Sequence, residues 1–184
     1  MLEKLQPAPM FRAMNQNSQL VSLYDFAGDK NIVLYFYPKD DTPGCTIEAN
    51  DFTALSDEFA KLDTVVIGVS KDTCACHVDF INKYNLKVEL LADTQGEMCV
   101  NYGVWREREK NGVKSMHILR STFIIDKDGI LQDVAYGVNH EGHAQATLDK
   151  LKNPQPETEE AEAESDADAT AEADVASEAE STAE

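Results

Sequence analysis

Two apolar segments, rich in β-branched and aromatic residues, constrain the fold of this 184-residue chain more than any other feature. They are residues 32–37 (IVLYFY) and residues 64–70 (TVVIGVS), and neither alternates with polar residues along its length. A continuous apolar run of this size is typical of a strand buried on both faces of a sheet. A helix pattern lies between the two segments, so we expect an α/β protein whose helices flank a central sheet.

The rest of the first 152 residues alternates between helix and strand patterns. A helix beginning near residues 43–45 is predicted from apolar positions that share one face: Ile47, Phe52, Leu55, Phe59 and Leu62. Asp72 is expected to cap a second helix, with Val78, Ile81 and Tyr84 facing inward. A short strand (88–91), a short helix (95–102), a β-hairpin around the turn DKDG (121–126 and 130–137) and a last helix (140–152) follow. This order predicts a mixed sheet.

The last 32 residues differ in composition from everything before them. Residues 153–184 hold 12 of the 34 acidic residues and no Lys or Arg. Such a segment cannot bury enough apolar surface to offset its loss of conformational entropy. We therefore predict a disordered acidic tail, attached to a domain of residues 1–152. A solubilising role and binding of a specific partner both remain open for the tail.

Charge and cysteine content exclude several classes of protein. With 16 Lys and Arg against 34 Asp and Glu, the chain is not expected to bind nucleic acid or anionic membranes, because phosphate binding needs clustered basic residues. No apolar run approaches the roughly 18 residues that cross a bilayer, and the N-terminus lacks a signal-peptide pattern. Four cysteines in a chain of this length do not suggest a disulfide framework. We expect a reduced, cytoplasmic protein.

Cys45 is the strongest candidate for chemistry. It lies at the predicted junction of a buried strand and a helix, where free backbone N–H groups and the helix dipole favour a thiolate over a thiol. The preceding loop, PKDDTPG, contains prolines that stiffen it, and Gly44 lets the backbone approach a ligand. Thr42 adds a hydroxyl, so the loop can hold a substrate that contains oxygen. The alternative is that Cys45 is a buried, unreactive thiol.

Residues 37–46 (YPKDDTPGCT) resemble the peroxidatic-cysteine loop of the peroxiredoxins, whose pattern Pro-x-x-x-Thr-x-x-Cys is matched by Pro38, Thr42 and Cys45. The subfamily in question is the bacterioferritin-comigratory, or Q-type, group of thiol peroxidases. Further similarity lies at PAPMF (7–11), LYDFAG (23–28), GVSKD (68–72), YGVW (102–105) and RSTFIID (120–126). The resemblance implies a thioredoxin-like fold and the antioxidant reduction of hydrogen peroxide or organic hydroperoxides.

The resemblance also implies a role for each residue of the site. The Cys45 thiolate attacks the peroxide and becomes a sulfenic acid. Thr42 and the backbone at Gly44 would hold the peroxide, and Pro38 would shape the pocket and shield the thiolate. Arg120 matches the distal arginine of the family, whose charge would stabilise the thiolate and the leaving oxygen. Without the resemblance, Arg120 would be interpreted as a surface residue. No cofactor is implied.

The resolving cysteine is where this sequence departs from the family. Many members carry a second cysteine five positions after the first, and Asn50 occupies that position here. Other members resolve from the following helix, where this chain has Cys74 and Cys76. A disulfide from either to Cys45 needs Cα atoms within about 7 Å, so the helix of Cys45 would have to unwind locally. The alternative is a one-cysteine enzyme recycled by an external thiol. Cys99 is interpreted as structural.

The sequence also bears on partners, alternative functions and metal binding. The implied partner is thioredoxin or a similar dithiol reductant, and monomer and dimer are both open. A redox sensor or disulfide relay is the first alternative, and a binding module with an unreactive cysteine is the second. A metal site is not predicted. The segment Cys74-x-Cys76-His77 lacks the second ligand pair of a structural zinc site, and His140 and His143 are too close for a His-Glu-x-x-His motif.

Overall fold

The computed structural model describes residues 1–110 and 112–153. The predicted disordered tail therefore lies outside the described residues, apart from Asn153. The elements in chain order are β1 (Arg12–Asn15), β2 (Leu20–Ser22), a 3₁₀ helix (Leu23–Phe26), β3 (Asn31–Phe36), α1 (Pro43–Ala54), α2 (Ser56–Lys61), β4 (Thr64–Ser70), α3 (Cys74–Tyr84), β5 (Glu89–Ala92), α4 (Glu97–Asn101), β6 (Trp105–Lys110), β7 (Val113–Ile118), β8 (Ser121–Ile125), β9 (Leu131–Tyr136) and α5 (His143–Lys152). Within this part of the chain, no helix has the length and apolarity of a bilayer span.

Seven strands form one mixed sheet in the order β2-β1-β5-β4-β3-β8-β9. Strands β3, β4 and β5 run parallel, and the remaining pairs are antiparallel. The two apolar segments of the sequence become β3 and β4 at the centre, with Leu34 opposite Ile67. The predicted α/β fold with a mixed central sheet is confirmed.

Strand β3 supplies side chains to two hydrophobic cores, one on each face of the sheet. Leu34 and Phe36 lie in one core, and Tyr35 lies in the other, with Phe52 and Cys45 of α1. Successive side chains of a strand point to opposite faces, so a strand buried on both sides must be apolar throughout. The second core fixes α1 against the sheet and so places Cys45 at the end of β3.

The single helix predicted after Cys45 is in fact two helices. Helix α1 ends at Ala54 and α2 begins at Ser56, with Leu55 between them. Ile47 was expected in the core but is 44% exposed, whereas the neighbouring Glu48 is completely buried. The apolar spacing misplaced this face because Glu48 is an acidic residue that pairs with a partly buried arginine.

Helix α3 differs from its prediction at both its cap and its buried face. The N-cap is Thr73 rather than Asp72, and its side chain accepts the Cys76 N–H. The buried residues of α3 are His77 and Phe80, whereas Val78 of the predicted inward face is exposed. Ile81 and Tyr84, the other predicted residues, are partly buried.

Four strands were not predicted from the sequence: β1, β2, β6 and β7. Strands β6 and β7 form a separate two-stranded sheet. Its first residue, Trp105, packs against one core, and Lys71 Nζ lies 4.5 Å from the centre of its ring. Lys71 follows β4 directly, so this cation–π contact joins the hairpin to the end of the central sheet.

Candidate active site

Cys45 is the third residue of α1 and lies in its first turn. Thr42 is the N-cap, with extended backbone angles (φ −95°, ψ 150°), and Pro43 takes the first helical position, where no intrahelical N–H bond is needed. The N–H groups of Gly44 and Cys45 belong to the first turn and have no acceptor within the helix. They lie at the positive end of the helix dipole, which favours a negative charge on Cys45.

Arg120 contacts Cys45 from the segment between β7 and β8. Its Nη2 donates a hydrogen bond to Cys45 Sγ at 3.2 Å, and its Nη1 donates to the carboxylate of Glu48. Cys45 and Glu48 are three residues apart, so they share the face of α1 that meets the guanidinium. Both are buried, and the side chain of Arg120 is only 14% exposed. Two hydrogen bonds from the guanidinium thus connect the three side chains in the order Glu48–Arg120–Cys45.

Burial and ion pairing determine the charges of Glu48 and Arg120. Burial raises the pKa of Glu48 to about 7, although Arg120 acts in the opposite direction. Burial lowers the pKa of Arg120, but the negative charges of Glu48 and Cys45 outweigh that effect and raise it overall. Arg120 is therefore a fixed positive charge beside the sulfur, whereas Glu48 titrates near neutral pH.

Three other predicted site residues lie between the end of β3 and the first turn of α1. The Thr42 hydroxyl donates to the carbonyl of Lys39 at 3.0 Å, which leaves its lone pairs free to accept a hydrogen bond. Pro38 is exposed just beyond β3. Gly44 lies against the imidazole of His140, and a Cβ added at Gly44 would be 3.1 Å from His140 Nδ1. An alanine at position 44 would therefore require the imidazole of His140 to shift by a small distance.

The four cysteines are free and lie in different environments. Cys74 and Cys76 occupy the first turn of α3, and Cys76 is exposed. Cys76 lines a cleft of about 230 Å³ together with Lys39 and Asp41 of the loop before α1. Cys99 is buried in α4, and burial followed by a hydrogen bond to Asp93 raises its pKa far above the ordinary value.

The Cys74-x-Cys76-His77 segment does not form a set of metal ligands. Cys76 is exposed, whereas His77 is buried and its Nδ1 lies 2.7 Å from Asp40 Oδ2. Across residues 1–110 and 112–153, no three His, Cys, Asp or Glu side chains are grouped to hold a metal ion.

Glu48 and His140 lie at the site, but neither was predicted there from the sequence. Glu48 had a signal, because a residue three positions after Cys45 shares its helix face. His140 had none, since it lies 96 positions beyond Gly44 in a loop without a pattern.

Comparison with known proteins identifies the family. The model of the AhpC/TSA family matches residues 5–134 of this chain. The chain belongs to the AhpC/TSA family. Among curated AhpC/TSA relatives, a putative peroxiredoxin Bcp of Helicobacter pylori is 45% identical over 150 residues, which cover 82% of this chain and 98% of that protein. Peroxiredoxin Bcp of Bacillus subtilis is 43% identical over 148 residues, covering 80% and 94%.

Solved structures of similar AhpC/TSA proteins agree. Peroxiredoxin Q of Xanthomonas campestris superimposes with a TM-score of 0.75 at 34% identity, covering 79% of this chain and 92% of that one. Peroxidoxin BcpB of Mycobacterium tuberculosis gives 0.74 at 30% identity, covering 85% and 100%. The peroxiredoxin resemblance and the thioredoxin-like fold predicted from the sequence are confirmed. These relatives favour an antioxidant thiol peroxidase over a sensor or a disulfide relay.

Proposed function

We propose that this protein is a thiol-dependent peroxidase that reduces hydrogen peroxide and organic hydroperoxides through Cys45, as a defence against oxidants. One observation carries the proposal: the guanidinium of Arg120 donates to Cys45 Sγ at the N-terminus of α1. A structural thiol has no need of a partly buried cation. A nucleophilic thiolate is stabilised by one.

The positions of these groups support the following reaction. The Cys45 thiolate attacks the terminal oxygen of the peroxide, and an S–O bond forms as the O–O bond breaks. Cys45 becomes a sulfenic acid, and the other oxygen leaves as an alkoxide or hydroxide that takes a proton from water. Arg120 stabilises the negative charge on that leaving oxygen. The hydroxyl oxygen of Thr42 accepts a hydrogen bond from the peroxide O–H, because its own hydrogen is donated to the carbonyl of Lys39.

Three further residues support this geometry. Glu48 holds Arg120 in place through the second guanidinium nitrogen. The free N–H group at Gly44 adds a donor for the peroxide oxygen. Pro38, exposed just beyond β3, is given the shielding role that the family resemblance implies.

We also propose that the sulfenic acid is resolved by Cys76. The cleft that Cys76 shares with Lys39 and Asp41 borders the loop of the reactive cysteine. Cys45 is buried and Cys76 is exposed, so the first turn of α1 must unwind before a disulfide can form. Cys74 lies in the same turn of α3 and is the second candidate. A one-cysteine enzyme recycled by an external thiol is the remaining alternative.

The reductant is proposed to be thioredoxin or a similar dithiol protein. Four free cysteines fit a reducing compartment such as the cytoplasm. The excess of acidic residues supports neither a nucleic-acid nor a membrane partner. Monomer and dimer both remain compatible with this mechanism.

The test is peroxide turnover by the purified protein, coupled to thioredoxin and its reductase. We expect Cys45→Ser to abolish turnover and Cys99→Ala, the matched control, to retain it. Turnover by Cys45→Ser would refute the proposal, and rapid oxidation with slow turnover would favour a sensor. Peptide mass mapping of the oxidised protein should show a Cys45–Cys76 disulfide. A Cys45–Cys74 disulfide, or a persistent sulfenic acid, would overturn the assignment of Cys76.

A further inference from the structure

A buried hydrogen-bond chain joins the loop before α1 to helix α3. Asp40, in that loop, is only 8% exposed. Its Oδ1 accepts the Tyr37 hydroxyl at 2.6 Å, and its Oδ2 accepts from His77 Nδ1 at 2.7 Å. Tyr37 follows β3 and His77 belongs to α3, so one carboxylate connects the loop, the central sheet and the helix.

The backbone of Asp40 is fixed as well. Its N–H donates to Asp72 Oδ2 at 2.8 Å, and the Ser70 hydroxyl donates to the same oxygen. Asp72 therefore acts as a bridge between the end of β4 and the loop. The side chain of Asp40 is thus hydrogen-bonded to His77 in α3, and its main-chain N–H is hydrogen-bonded to Asp72, just before α3.

His77 depends on this carboxylate. It is completely buried, and its Nε2 has no hydrogen-bond partner in the part of the chain that the structure describes. A buried imidazole and a buried carboxylate are each costly to leave unpaired. Separating the loop from α3 breaks this pair, so the pair resists opening of the loop.

The exposed contacts at the same junction are different. Asp41 accepts hydrogen bonds from Lys83 Nζ and the Tyr84 hydroxyl, each at 2.6 Å. Lys83 and Asp41 are both about half exposed, and exposed ion pairs contribute little because water screens them. Among the contacts of the loop with α3, the buried Asp40–His77 pair is therefore expected to contribute most.

The sequence positions of the pair give it a mechanistic meaning. Asp40 lies five residues before Cys45, and His77 is adjacent to Cys76. Attack on peroxide needs the loop in place, whereas disulfide formation needs the first turn of α1 to unwind. The pair thus joins the loop before α1 to α3. Attack on peroxide needs these two segments together, and disulfide formation needs them apart.

We propose that Asp40 and His77 are positioning residues that hold the loop of Cys45 in its peroxide-reactive form and so slow the transfer of Cys45 to its resolving thiol. The proposal rests on the peroxidase function proposed above. Neither residue touches the peroxide. They act on the two steps in opposite directions, by stabilising the closed loop against the open one.

The test compares the two steps in variants of the full chain. Without the Nδ1–H donor, His77→Leu should react with peroxide about tenfold more slowly and should form its disulfide about tenfold faster. His77→Asn, which can place an amide N–H near the position of Nδ1, should restore both rates towards wild type. Lys83→Gln, the matched control in the exposed pair, should change neither. Rapid-quench mass spectrometry with a sulfenic-acid trap follows both steps.

Other outcomes decide against the proposal. If His77→Leu lowers the rate of peroxide reaction and the rate of disulfide formation together, the pair contributes only to folding. Asp40→Asn, which keeps the shape of the side chain, should then lower both rates as well. If an active wild type and His77→Leu share both rates, the loop is not controlled by this pair. A wild type that does not react with peroxide would refute the proposed function and this inference together. If the wild type forms no disulfide, reaction of its sulfenic acid with an external thiol measures the second step, with the same expected acceleration.

Discussion

Among single residues, Glu48 is expected to make the site respond to pH through Arg120. Glu48 does not touch the sulfur, but it holds the guanidinium that does. Its pKa of about 7 means that this support is complete only above neutral pH. As pH falls through about 7, Glu48 takes up a proton and its ion pair with Arg120 weakens.

We expect Glu48→Gln to lower the rate of Cys45 oxidation at alkaline pH by about tenfold, because a charge-assisted hydrogen bond to Arg120 is lost. The variant should also lack the part of the wild-type rate that declines as pH falls through about 7. Stopped-flow oxidation rates on both sides of this pH provide the measurement. Glu58→Gln on α2, an exposed acid, is the control and should match wild type. An unchanged pH profile in Glu48→Gln would show that Glu48 does not act through Arg120.

The residues of the site were unequally visible in the sequence. Thr42 and Cys45 were visible because they lie in one short loop whose spacing has a chemical meaning. Arg120 is 75 residues from Cys45, so only the family resemblance connected them. The roles of these three residues stay predictions.

At the level of elements, the start of α5 is fixed over the site by His143. Its Nε2 lies 2.7 Å from the Thr122 hydroxyl on β8, and its ring meets Phe52 of α1 edge-on. Burial, with smaller effects of Lys150 and Arg120, lowers the pKa of His143 to about 4. The helix is therefore anchored by a histidine that stays neutral.

This anchor should make the protein less stable in acid. The unfolded chain binds a proton at His143 near its ordinary pKa of 6.5, whereas the folded chain binds it only near 4. The free energy of unfolding therefore decreases as pH falls from 6.5 to 4. His143→Gln should lose this decrease, as measured by denaturant unfolding across that range.

The comparison must be between variant and wild type, because Glu48 contributes with the opposite sign. Its raised pKa makes the folded state bind the extra proton between 4.5 and about 7, so its contribution falls as pH rises. Parallel stability curves of His143→Gln and wild type across the acid range would contradict the prediction.

Elements were predictable where burial on both faces left a strong pattern. Strand β4 was predicted with its observed bounds, because all but one of its residues are buried. Strand β6 reads WREREK, and an exposed hairpin needs no apolar run, so it had no signal. The face of α3 was wrong because His77, a polar residue, is drawn inside by Asp40.

For the whole molecule, charge is divided unevenly along the chain. The two hydrophobic cores lie within the first 152 residues, whereas 12 of the 34 acidic residues follow them. The order of strand and helix patterns was enough to predict a mixed sheet, because apolar strands and amphipathic helices pack in only a few layered arrangements. The boundary between domain and tail stays a prediction from composition.

Deleting residues 154–184 should leave the rate of peroxide reduction within about twofold of the full chain, since a charged, apolar-poor segment contributes no core contacts. The truncated protein should be less soluble and should elute earlier from an anion exchanger. A full-length variant with the tail acids changed to Gln or Asn separates charge from length. A loss of turnover on truncation would assign the tail to the catalytic cycle.

The contact between Lys71 and Trp105 has a practical consequence. Trp105 is the one tryptophan of the sequence, and Lys71 precedes Asp72, which binds the backbone of Asp40. If opening of the loop breaks the bond between Asp40 and Asp72, the neighbouring Lys71 should shift above the indole of Trp105. Intrinsic fluorescence should then report the opening of the site in real time, without an added label.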